Sequence, residues 1–163
     1  MSQSVEQLIL ALTKEYEIYK DYYTLGEQKK EVLILGDIKE LEKIISQEQD
    51  IIRNTQKIDQ IRTAIIGNIL FEQKINWIEN ITQLCEYIED PYKEKILEIR
   101  EKLSKLLEEI QSLNDTNQQL TKQQLEYIDF NINILNNAQV TTTYGNKTEQ
   151  QIIKPSSLID AKG

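Results

Sequence analysis

From Tyr92 to Ala138 one surface recurs alternately four and three residues apart without a slip. Tyr92, Ile96, Ile99, Leu103, Leu106, Ile110, Leu113, Asn117, Leu120, Gln124, Tyr127, Asn131, Ile134 and Ala138 form the series. A repeat of about 3.5 residues puts them all on one seam of an α-helix that packs with a left-handed crossing. A strand would send alternate side chains to opposite faces and split the series. Asp90-Pro91 marks the start of this helix, an acid cap followed by proline at the first helical position. The helix is predicted over 91–138 and needs neighbours, because helical stability comes mostly from burying an apolar face.

The neighbours lie upstream. Val5, Leu8, Leu12, Tyr16, Tyr19 and Tyr23 follow helical spacing and predict a first helix over 4–35, capped by Ser4 with Gln7 three residues on. Gly26 inside it predicts local irregularity, and Gly36 stops it. Asp37 caps a second helix, 38–66, whose buried face is carried by Leu41, Ile44, Ile45, Ile51, Ile52 and Ile58. So short a turn makes the two antiparallel. After Gly67, Phe71, Ile75, Ile78, Ile81, Cys85 and Ile88 predict a third helix over 68–89, or a kinked continuation of the second. The expected fold is all-α: an elongated antiparallel helical bundle or coiled coil of three to four helices with a long C-terminal helix. It forms one helical bundle domain, 1–139, followed by a flexible tail, 140–163, in which Pro155, Ser156 and Ser157 break the pattern.

Composition narrows the function. With 27 acidic and 19 basic side chains the net charge is −8, which argues against nucleic acid or an anionic membrane as the main partner. There is no histidine, so His-based acid–base catalysis, Ser–His or Cys–His nucleophiles and the usual zinc sites are excluded. No glycine-rich phosphate loop occurs. An enzyme is not expected, nor is a cofactor or a metal. No apolar run approaches the roughly 18–20 residues that span a bilayer, and residues 1–6 lack the basic start of a secretory leader. The single Cys85 fits a reducing compartment. A cytoplasmic protein without membrane insertion is expected.

Asn114, Asn117 and Asn131 lie on or beside the seam of the long helix. Polar groups there either fix register inside the bundle or, with Gln124, line a surface where a partner helix lays its apolar face. Tyr144, outside the helical pattern and next to Gly145, reads either as an interface anchor or as packing on the end of the bundle.

Three stretches resemble the FlgN-type flagellar export chaperones. Residues 12–41 carry Glu15, Tyr19, the spacing from Lys29 to Leu33, and Gly36-Asp37 before Leu41. Residues 103–135 carry Leu113-Asn114, Asn117, Leu120, Leu125 and Tyr127. The tail carries Thr143-Tyr144-Gly145 and the closing Leu158-Ile159-Asp160-Ala161-Lys162. Arg62 falls where that family has arginine late in its second helix, whereas 68–90 matches poorly. The resemblance implies a cytoplasmic chaperone of hook-associated proteins that prevents their premature self-association and delivers them to the type III export gate. Its client helix would cover Leu113, Asn117, Leu120, Gln124, Tyr127, Asn131, Ile134 and Leu135, and Tyr144 would contact the cytoplasmic domain of the gate. Such a chaperone is expected to be a monomer or a weak oligomer. The competing class is a structural scaffold or tether that dimerises through the long helix.

Overall fold

The computed structural model describes the backbone of residues 3–144 and the side chains of residues 3–137. The chain divides into two compact units, Met1–Gln118 and Gln119–Gly163, with the boundary inside the last helix. The described residues are helical and contain no strand. Helix α1 spans Gln3–Leu35, α2 Ile38–Gln73, the single-turn α3 Ile81–Leu84, and α4 Tyr92–Tyr144; a short 3-10 turn, Cys85–Tyr87, follows α3.

The hairpin between α1 and α2 follows from two residues. Gly36 takes a left-handed conformation with φ of 71°, and its N–H and that of Asp37 donate to the carbonyls of Leu33 and Val32. This closes the last turn of α1 as glycine does without steric cost. Asp37 then caps α2 by accepting from the Glu40 N–H at 3.2 Å. Cross-hairpin pairs run in opposite directions along the two helices. Ser4 Oγ donates to Glu72, Arg62 to Glu15, and Lys29 Nζ to Glu48. The two helices are therefore antiparallel along their whole length. Ser4, expected as a cap, lies inside α1, and its hydroxyl is engaged by Glu72 instead.

Helix α2 does not stop at Gly67. A glycine within a helix costs up to ~1 kcal/mol, which the burial of Ile65 and Ile69 on either side outweighs. The helix ends at Lys74, left-handed with φ of 57°, where the N–H of Lys74 donates to Phe71 and that of Ile75 to Leu70. The expected third helix over 68–89 is accordingly absent. Its apolar residues are shared between the end of α2, an irregular link and the turn of α3, which Asn80 caps through the Gln83 N–H at 2.9 Å. Leu84, Cys85 and Ile88 of this link are buried, whereas Phe71 stands 86% exposed. On α2, Ile44 and Ile58 are buried as expected, Leu41 and Ile51 are half-buried, and Ile45 and Ile52 face solvent.

Helix α4 begins at Tyr92, after a cis Asp90-Pro91 bond, and its first turn is closed by the Pro91 carbonyl, which accepts from the Lys95 N–H. It extends past Ala138 to Tyr144, because the β-branched residues 140–143 lower helix propensity without breaking a helix. Gly145 and the apolar pairs of the tail lie outside the described residues.

In the first unit, α1 and α4 run parallel. The Tyr92 hydroxyl donates to Glu6, and Asn117 Nδ2 donates to the carbonyl of Gly26 at 3.0 Å. A core of Val5, Leu8, Leu12, Ile65, Ile69, Leu84, Cys85, Ile88, Ile96 and Leu103 joins α1, α2, the link and α4. Each fully buried Leu or Ile contributes ~1.5–3 kcal/mol through apolar burial. Gly26 is not an irregularity. A Cβ there would come 2.7 Å from Leu113 Cδ2, so its absence sets how closely α1 and α4 approach.

Candidate functional site

The seam of α4 changes character along its length. Ile96, Leu103, Leu106, Ile110, Leu113 and Asn117 are buried. After Gln118 none of the described residues is buried. Leu120, Gln124 and Asn131 are half-buried, and Tyr127, Ile134 and Leu135 are exposed. Tyr127 is 62% exposed and Leu135 64%.

Two of the eight expected client contacts therefore sit elsewhere. Leu113 and Asn117 lie inside the first unit against Gly26, and Asn117 is only 4% exposed, a placement that suits the register-fixing alternative. A buried amide bonded to a main-chain carbonyl costs free energy to expose, so neither residue belongs to an open surface of the folded unit. The other six stand on the accessible part of α4 with three residues that the seam did not single out: Leu125, Ile128 and Phe130, all exposed. Ile128 and Phe130 were legible only as apolar residues off the heptad line, and Leu125 only through the family resemblance, because exposure depends on what else packs there. Tyr144 is the last residue of α4, and its side chain lies outside the described residues.

Within residues 119–137 the apolar residues cover a broad arc. Leu120, Tyr127, Phe130 and Ile134 lie on one side of the Gln124–Asn131 line, and Ile128, Ile132 and Leu135 lie on the other, as i, i+3, i+4 spacing requires. An apolar arc this dense on an accessible helix makes this stretch the candidate site. Charge is sparse there, with Lys122, Glu126 and Asp129 on the remaining face, so recognition would rest on apolar contact.

The first unit is held by a charged pair between α1 and α2. Glu15, 5% exposed, accepts from Arg62 Nη1 at 2.6 and 2.8 Å, and Asp59 accepts from Arg62 Nη2. Burial pushes the nearby Tyr19 hydroxyl above its usual pKa, and the Glu15 carboxylate adds to the shift while Arg62 opposes it. Burial likewise raises the Cys85 thiol. Among the described residues no cluster of three or more His, Cys, Asp or Glu side chains is placed to hold a metal, and no helix is long and apolar enough to cross a membrane.

Fold and surface together define an all-helical protein whose last helix carries an exposed apolar ridge. The sequence profile of the FlgN protein family matches residues 1–152, and the chain belongs to that family. The match gives it a general role as a flagellar export chaperone, in a family that is not enzymatic. The chain is also similar to the uncharacterized protein YvyG of Bacillus subtilis (strain 168), 26% identical over 161 residues, covering 98% of this chain and 99% of the relative. No solved structure matches the chain.

Proposed function

We propose that this protein is a cytoplasmic chaperone that binds hook-associated proteins before export, prevents their premature self-association, and delivers them to the export gate. The observation that carries the reading is the exposed ridge of Tyr127, Phe130, Ile134 and Leu135 on α4, within the family's matched span. A client segment with coiled-coil character would lay an apolar stripe on this ridge, with Leu120, Gln124 and Asn131 beneath it. Ordering such a segment on binding takes ~2–5 kcal/mol from the gross interaction, leaving the complex protective yet releasable. The protein acts as a monomer or weak oligomer in this reading, and Tyr144 makes the gate contact.

Calorimetric titration of a hook-associated protein into Ile134→Asp and Leu135→Asp tests the surface. Both variants are expected to lose client binding while their circular dichroism stays that of the parent. Unchanged affinity in both would remove the ridge from the site. Tyr144→Ala is expected to weaken binding to the cytoplasmic domain of the gate and to leave client affinity intact. Sedimentation showing a stable dimer at low concentration, lost in the same Asp variants, would favour a scaffold instead.

A further inference from the structure

The seam of α4 repeats one local arrangement every seven residues: an apolar side chain and, four residues later, an amide. Leu113 stands with Asn117, Leu120 with Gln124, and Tyr127 with Asn131. The first pair shows what the arrangement does. Leu113 fills the space where Gly26 of α1 lacks a Cβ, and Asn117 donates to the Gly26 carbonyl at 3.0 Å. The amide reaches a main-chain carbonyl of a parallel helix because glycine leaves that turn uncovered. The third pair offers the same chemistry two heptads further on, in the second unit, with Tyr127 exposed and Asn131 half-buried.

On the strength of the client reading above, we infer that Tyr127 and Asn131 form a recess for a glycine or alanine of the client. The client helix lies parallel to α4, seats that small residue against the Tyr127 ring, and accepts a hydrogen bond from Asn131 at its main-chain carbonyl. The warrant is continuity with the α1–α4 interface: the same helix, the same seam and the same residue types, in which the facing position is already seen to be glycine. Phe130, Ile134 and Leu135, all exposed, give the larger apolar residues of the client somewhere to pack beside the recess. A leucine at the small position fails twice, because it collides with the ring and leaves the Asn131 amide buried without its acceptor. The pair is thus a specificity device that selects a client stripe broken by one small residue over an unbroken leucine seam.

Synthetic peptides spanning the terminal helical segments of hook-associated proteins provide the probe. Each is titrated calorimetrically into the full chain, and every Gly and Ala of a binding peptide is replaced by Leu in turn. One position is expected at which Leu weakens binding at least ~30-fold, with the two peptides binding Tyr127→Ala within about threefold of each other, as coupled sites in a double-mutant cycle do. Asn131→Leu is expected to weaken the parent peptide about tenfold without changing the circular dichroism of the chaperone. Binding that no Leu replacement disturbs, or a loss that persists in Tyr127→Ala, overturns the recess and leaves the client reading standing. Failure of every peptide to bind overturns both.

Discussion

At the scale of single residues, two glycines in similar helical settings have opposite meanings. Gly67 is exposed within the last two turns of α2, and a Cβ there would meet nothing within 4 Å. Gly67→Ala is therefore expected to stabilise the protein by ~0.5–1 kcal/mol through helix propensity and a less flexible unfolded chain. Gly26→Val has a smaller propensity gain, since Val is β-branched, and drives side-chain atoms into the buried Leu113, where overpacking costs ~1–3 kcal/mol. Urea denaturation should move the midpoint up for the first and down for the second. A rise in both would mean that Leu113 has room to yield and that Gly26 does not set the α1–α4 distance. Sequence alone could not separate these glycines, because the residues that distinguish them are Leu113 and Asn117, far along the chain.

At the scale of elements, legibility followed how local the determining chemistry was. The α1–α2 hairpin was readable because Gly36 and Asp37 act on residues within one turn of themselves. The end of α2 was not, because a lysine in the left-handed conformation sets it, and lysine has no preference for that state. The heptads of α4 were plain to Ala138, yet they look alike whether a neighbour covers them or not, so the change from buried Asn117 to exposed Tyr127 was invisible in the pattern. The antiparallel register of α1 and α2 rests partly on Glu15 and Arg62. Removing the cation leaves a buried carboxylate without its donor, so Arg62→Ala is expected to cost ~2–3 kcal/mol. That is less than the ~3–5 kcal/mol of a fully buried pair, because part of the Arg62 chain is solvated. Glu15→Gln with Arg62→Met, which keeps the volume and removes both charges, should recover much of the loss. Thermal unfolding of the single and double variants measures it, and equal losses in both would show that the stranded Glu15 charge is not the source of the cost.

At the scale of the whole molecule, the cooperative fold keeps two weak acids neutral. Burial holds the Cys85 thiol above its usual 9.0, and burial with the neighbouring Glu15 carboxylate holds the Tyr19 hydroxyl above 10.0. In both cases the unfolded chain ionises first as pH rises, so above those values it binds fewer protons than the native state. The stabilisation is then complete below about pH 9 and drains away through the alkaline range. Lysines titrate in the same range and contribute their own slope, so the informative quantity is the difference from a Cys85→Ala, Tyr19→Phe variant in which neither group can ionise. Urea midpoints measured at pH 8, 9.5 and 10.5 should fall more steeply for the parent chain than for that variant. Thiol alkylation at pH 9.5 should accompany unfolding rather than precede it, since Cys85 is 1% exposed and the thiolate is the reactive form. Parallel slopes combined with rapid alkylation of the native protein would show that the end of the bundle around the α3 turn opens on its own, without the rest of the core.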